Sequence, residues 1–82
     1  MEEENKQIIK IPDLNHAAAN RLNGICAVAG YLIDIIKDRT DLSTGLKDDF
    51  TKSLKIIETR AQETAADLTK IKEELQSRNQ YL

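Results

Sequence analysis

The stretch Asp13-Leu14-Asn15-His16-Ala17-Ala18-Ala19-Asn20-Arg21-Leu22-Asn23-Gly24-Ile25 decides how the rest of the chain is read. It holds the only histidine and opens an apolar-rich run that continues to Ile36. In a helix, residues four and seven apart share a face. His16, Asn20 and Asn23 then form one polar stripe, with Ala19 and Ala27 beside it. Counting back from Ile36 in steps of four and three gives Leu32, Ala29, Ile25, Leu22, Ala18, Asn15, Ile11 and Ile8. All but Asn15 are apolar, so the seam is heptad-like. Val28, Ile33 and Ile35 widen it into the stripe of a bundle helix. The His16 stripe falls on the opposite side. Gly24 and Gly30 each cost such a helix roughly 1 kcal/mol relative to Ala, which suggests points of close packing.

Downstream, Asp38-Arg39-Thr40-Asp41-Leu42-Ser43-Thr44-Gly45 has turn composition and no periodicity. It predicts a loop over 39–44. Ser43 or Thr44 is placed to cap the next helix, with Asp48 and Asp49 near its positive end. A second helix is predicted over about 45–80. Its seam runs Phe50, Leu54, Ile57, Ala61, Thr64, Leu68, Ile71, Leu75, Arg78 and Leu82, with Thr64 and Arg78 the polar exceptions. The remaining faces mix both charge signs, as solvated surfaces do. Asp48 and Lys52 have the spacing of a helical ion pair.

Upstream, the chain begins acidic (Glu2, Glu3, Glu4) and turns apolar at Ile8 and Ile9 before Pro12. Proline suits the first turn of a helix and disrupts an interior. Two arguments favour a first helix that starts near Glu3 and kinks at Pro12. Ile8 and Ile11 stay in phase with the seam. A helix over 12–38 would also be only about 40 Å long against about 54 Å for the second. The predicted organisation is a helical lead-in over 1–11 and a hairpin over 12–82, with helix 1 over about 12–38.

Composition narrows the class. Eighty-two residues, 40% hydrophobic and 32% charged, fit one small helical domain. Three aromatics, three glycines and one proline are too few for a sandwich or barrel. The net charge of −2 comes with no basic block, so nucleic acid is not an expected partner. The run from Ile25 to Ile36 is too short to span a bilayer and is interrupted by Asp34, and no signal peptide is evident. A single cysteine makes no internal disulfide, which points to a reducing, cytoplasmic setting. Cys26 reads as a small buried hydrophobe. A two-helix hairpin leaves half of each apolar stripe wet, and a chain this short struggles to bury enough surface alone. The expected architecture is therefore all-α: an antiparallel hairpin that homodimerises into a four-helix bundle.

The bundle explains the seams but not His16. No second histidine, second cysteine or suitably spaced carboxylate accompanies it, so no metal set is predicted. No Ser/His/Asp or Cys/His set can be assembled, and no Gly-rich phosphate loop is present.

The run from His16 to Ile25, followed by Gly30-Tyr31-Leu32, resembles the phosphoacceptor box of two-component sensor histidine kinases. That box typically reads His, an acidic residue, two variable residues, Thr or Asn, often Pro, then Leu, Thr or Asn, a small residue and Ile. The match covers His16, Asn20, Leu22, Asn23, Gly24, Ile25 and Gly30-Tyr31. The resemblance implies a dimerisation and histidine-phosphotransfer domain. His16 would be the phosphoacceptor, and Asn20 would occupy the position that helps place water for dephosphorylating the partner. The implied partners are a second copy, a response-regulator receiver domain, and an ATP-binding kinase domain acting in cis or in trans. ATP and Mg would come with that separate domain, since this chain lacks its Asn-rich and Gly-rich boxes and would bind no cofactor itself. Two positions depart from the pattern. Ala17 stands where an acidic residue normally orients the imidazole and helps accept its proton, and general-base help is commonly worth 10²–10⁴-fold. Arg21 stands where proline is frequent. The alternative reading is a catalytically silent dimeric hairpin serving as an interaction or structural module.

Overall fold

A computed structural model describes residues 9–82 of the chain. Helix α1 spans Ile11–Asp38 and helix α2 spans Thr44–Ser77. They form an antiparallel hairpin, and no strand occurs among the described residues. The molecule measures 14 Å in its thinnest direction, so the layer is about one helix thick.

Lys10 is extended, with φ −95° and ψ 138°, and Pro12 falls in the first turn of α1. Proline lacks the N–H that a helix running through it would need, and its ring crowds the carbonyl four residues back. The expected helical lead-in is therefore corrected at Ile9 and Lys10, which are not helical. Its remainder, over residues 1–8, lies outside the described residues.

The length mismatch behind that expectation is accommodated at the other end of the chain. The 28 residues of α1 rise about 42 Å and the 34 of α2 about 51 Å. Beyond α2 the chain turns back. Asn79 adopts φ 56°, a left-handed conformation that Asn tolerates better than most residues. Its N–H donates to the Gln76 carbonyl at 3.1 Å, and the Gln80 N–H donates to Leu75 at 2.7 Å. This pair of bonds is the Schellman pattern that ends many helices. The reversed tail brings the Leu82 carbonyl to the Ile11 N–H at 2.9 Å, so a donor left unpaired at the start of α1 is satisfied. Lys72 Nζ lies 5.8 Å from the Tyr81 ring centre, a cation–π contact on the same reversal. The predicted end near Gln80 is thus three residues late.

At the loop, Ser43 Oγ accepts from the Leu46 N–H at 3.1 Å, the capping role expected of it. Asp48 and Asp49 fall beyond the first turn of α2, which holds no acidic residue. Arg39 grips Asp41 through two hydrogen bonds, one from Nε at 2.7 Å. The ion pairs along α2 and its C-cap are Lys55–Glu58, Arg60–Glu63 and Glu74–Arg78. Asp48 and Lys52 form none among the described residues.

Each predicted seam splits in two. Leu54, Ala61, Leu68 and Leu75 turn toward α1 and are buried or half-buried, whereas Phe50, Ile57, Thr64 and Ile71 are exposed. On α1, Asn15, Leu22, Ala29 and Ile36 face α2, while Ile11, Ile25 and Leu32 stay exposed. Ala18 is the one intermediate case that blurs the alternation. Only Ala29, Ile33 and Ala61 are buried among the described residues. Cys26 is half-buried rather than buried, and its thiol donates to the Glu58 carbonyl at 3.6 Å. A Cβ on Gly24 would meet nothing within 4 Å, and one on Gly30 only the end of Glu58 at 3.4 Å. Neither glycine is the close-packing point its position suggests.

Candidate functional site

His16 lies in the second turn of α1, and Asn20 and Asn23 follow it at helical spacing. All three are exposed. The α1 seam fixes this placement. With Asn15, Leu22, Ala29 and Ile36 held against α2, a period of 3.6 residues carries positions 16, 20 and 23 to the far side. Ala17 and Ala19 offer only methyl groups beside the imidazole, and Asp13 and Asn20 are its polar neighbours one turn to either side along the helix. One turn separates His16 from Asn20, so a group seated on the imidazole would lie within reach of the Asn20 amide.

The stripe is chemically sparse. Among the described residues no group of three His, Cys, Asp or Glu side chains is close enough to hold a metal ion. No side-chain hydrogen bond involves His16 or Asn20 among the described residues, so no such bond fixes the imidazole's rotation. A carboxylate at position 17 would ordinarily be the nearest candidate for that work. Elsewhere, exposed ion pairs set the local electrostatics. The Arg39 guanidinium, by hydrogen bond and charge, holds the Asp41 carboxyl below its usual range and is itself raised. Glu58 raises Lys55 in the same way.

Asn15 sits beside His16 but points the other way. Its side-chain amide donates to the Leu68 carbonyl at 3.1 Å across the hairpin. A polar group at a seam position thereby ties the turn that carries His16 to α2. Sequence periodicity marked Asn15 only as a gap in the seam, because its acceptor is a backbone atom 53 residues away.

The opposite side of the hairpin is open and apolar. Leu14, Ile25, Val28, Leu32 and Ile35 of α1 and Leu46, Phe50, Ile57 and Ile71 of α2 are all exposed. Two shallow grooves of about 310 and 330 Å³ run between the helices there. One is lined by Ile11, Leu14, Ala18, Arg21, Leu68 and Ile71, the other chiefly by Leu22, Ile25, Ile56, Ile57 and Ala61. A larger groove of about 430 Å³ on α2, between Lys52, Lys55, Ile56, Thr59 and Arg60, lies roughly three turns nearer the loop than His16. It is remote from the histidine stripe. No helix among the described residues is long and apolar enough to cross a membrane. Comparison with known proteins returns no match to a family model, to a curated protein or to a solved structure.

Proposed function

We propose that the chain is the phosphoacceptor and dimerisation domain of a two-component sensor histidine kinase, with His16 as the nucleophile. The observation that carries this reading is the division of α1. One side holds a lone imidazole with small neighbours. The other holds an uncovered apolar surface that a second copy would bury, completing a four-helix bundle without touching His16. The resemblance of the run from His16 to Ile25 supplies the chemistry. The setting this implies is cytoplasmic.

In this reading a neutral imidazole nitrogen attacks the γ-phosphorus of ATP held by a separate ATP-binding domain. The N–P bond forms as the bond to the β–γ bridging oxygen breaks. ADP leaves, and the imidazole N–H proton passes to solvent. A receiver-domain aspartate then attacks the same phosphorus, forming an O–P bond as the N–P bond breaks, and a proton from solvent returns the departing nitrogen to neutral imidazole. Phosphoryl transfer depends chiefly on positioning and charge neutralisation, which the separate domain and its Mg would supply. This chain contributes the nucleophile and a face both partners can reach. By the resemblance, Asn20, one turn on, would help hold the water that hydrolyses the receiver's phosphoryl group.

The test is incubation of the purified chain with γ-labelled ATP and ATP-binding domains of sensor kinases. Acid-labile, base-stable label on the wild type, absent from His16→Gln, is the expected result. No label with any such domain overturns the assignment. Ala17 favours a second reading, a silent dimeric hairpin acting as an interaction module. It predicts that His16→Ala and Asn20→Ala leave every partner interaction unchanged.

A further inference from the structure

The end of the hairpin that carries His16 is its least packed. Among the described residues, the buried side chains Ala29 and Ile33 lie toward the loop and Ala61 lies near mid-length. Around His16 the side chains that face across the hairpin, Asn15, Leu68 and Leu75, are only half-buried. Turns held by so little apolar burial open locally before the whole molecule unfolds. Among the described residues, two hydrogen bonds cross the hairpin there. The Asn15 amide donates to the Leu68 carbonyl at 3.1 Å, and the Ile11 N–H donates to the Leu82 carbonyl at 2.9 Å.

The second bond exists only because the chain reverses. Antiparallel helices advance in opposite directions residue for residue, so the Asn15–Leu68 contact sets Ile11 level with Lys72. Helix α2 runs past that level to Ser77. Leu82 comes back to Ile11 through the left-handed turn at Asn79, fastened by the Asn79 and Gln80 N–H groups on Gln76 and Leu75. Lys72 over the ring of the half-buried Tyr81 marks the same return. On the other strand of this contact Lys10 is extended, so no helical turn upstream pairs the Ile11 N–H. One backbone carbonyl of the reversal therefore ends the donor row of α1. His16 lies about 7.5 Å along the helix from that point.

We propose that residues 78–82 form a releasable clasp on the His16 end of α1. Closed, it fastens the turns from Ile11 to Ala17 against α2. Open, those turns loosen together as one unit, so whatever displaces the reversal acts on the turn that carries His16. The clasp stands on the hydrogen bonds and burial alone, and its bearing on phosphorylation rests on the reading of His16 above. The test is residue-resolved hydrogen exchange by NMR on the unphosphorylated chain, comparing wild type, Asn79→Pro and Asn79→Gly. Proline cannot take the left-handed turn, and glycine takes it freely. In the wild type, Gln80, Ile11, Leu14 and Asn15 are expected to share one protection factor, at least about tenfold below that of Ala29 and Ile33. In Asn79→Pro the protection of Leu14, Asn15 and His16 falls about tenfold further, the loss expected for one hydrogen bond. Asn79→Gly stays within about twofold of the wild type. Leu14, Asn15 and His16 as protected as Ala29 in the wild type, or unchanged in Asn79→Pro, overturn the clasp. Because exchange is read on the unmodified chain, a chain that never accepts a phosphoryl group removes the reading of His16 and leaves the clasp standing.

Discussion

Ile25 and Ile57 occupy the middle of the open face, and replacing both by alanine asks how much of the fold depends on a second chain. The hairpin leaves them 44% and 48% exposed. Full burial of such a side chain contributes about 2.3 kcal/mol, so covering the exposed part adds about 1 kcal/mol for each. Four such side chains meet in a twofold bundle, giving about 4 kcal/mol in all. That loss corresponds to a dimer dissociation constant about 10³-fold higher. Alanine is a better helix former than isoleucine, so weakened helices would not explain the change. The assay is sedimentation equilibrium alongside circular dichroism over a concentration series. The account expects a wild type whose mass and thermal midpoint rise together with concentration, and a variant shifted to far higher concentration. Equal masses for the two proteins at all concentrations refute the reasoning, because the open face would then have no mate of its own kind.

Three further outcomes follow from local features. Gly24→Ala adds a methyl group where nothing lies within 4 Å, so thermal unfolding should show a gain of about 1 kcal/mol from helix propensity alone. Asn79→Ala removes the short polar side chain whose local hydrogen bonding eases the left-handed conformation at φ 56° and should cost about 1 kcal/mol, read by the same method and accompanied by faster hydrogen exchange at Gln80 and Ile11. Asp41 has its carboxyl lowered from 3.8 by Arg39. The folded loop therefore prefers the charged form, its stabilisation is complete above the ordinary carboxylate range, and it is lost as pH falls through the lowered value. Because both groups are fully exposed, loop amide shifts should follow this acid titration while the global midpoint scarcely moves.

The hairpin was legible because both helices carry a strict alternation of three and four, from Ile11 to Ile36 and from Phe50 to Leu75. A period of that kind fixes which residues share a side whatever they pack against. It does not say which neighbour each half of the seam meets. Ile25 and Ala29 read alike in sequence, yet Ala29 is buried against α2 and Ile25 faces outward. Only the geometry of a hairpin separates them. Ile56 lies off the α2 seam, yet it extends the apolar surface. The start of α1 departs from the seam for a related reason. Ile8 and Ile11 matched the seam, but phase continues across a helix end as readily as through a helix. The unequal lengths were accommodated by the turn at Asn79, which nothing in the periodicity announces. The outward placement of His16 was legible, since the seam fixes it. The bond from Asn15 to Leu68 was not, since its acceptor is main chain.

The same geometry sets what the histidine stripe can do. An imidazole with methyl-bearing neighbours is open to approach from more than one protein domain. With no carboxylate at position 17 it lacks a built-in base, so a phosphoryl donor would have to bring more of the catalytic machinery with it. Ala17→Glu is the informative gain-of-function variant in any labelling reaction.

The most direct measurement is the site of phosphorylation itself. The chain is exposed to an ATP-binding kinase domain with MgATP, digested at neutral to mildly alkaline pH, and sequenced by mass spectrometry. The account predicts a single phosphoryl group on His16, transferable to a receiver domain. A wild-type chain that remains unmodified, or is modified at any other residue, contradicts it.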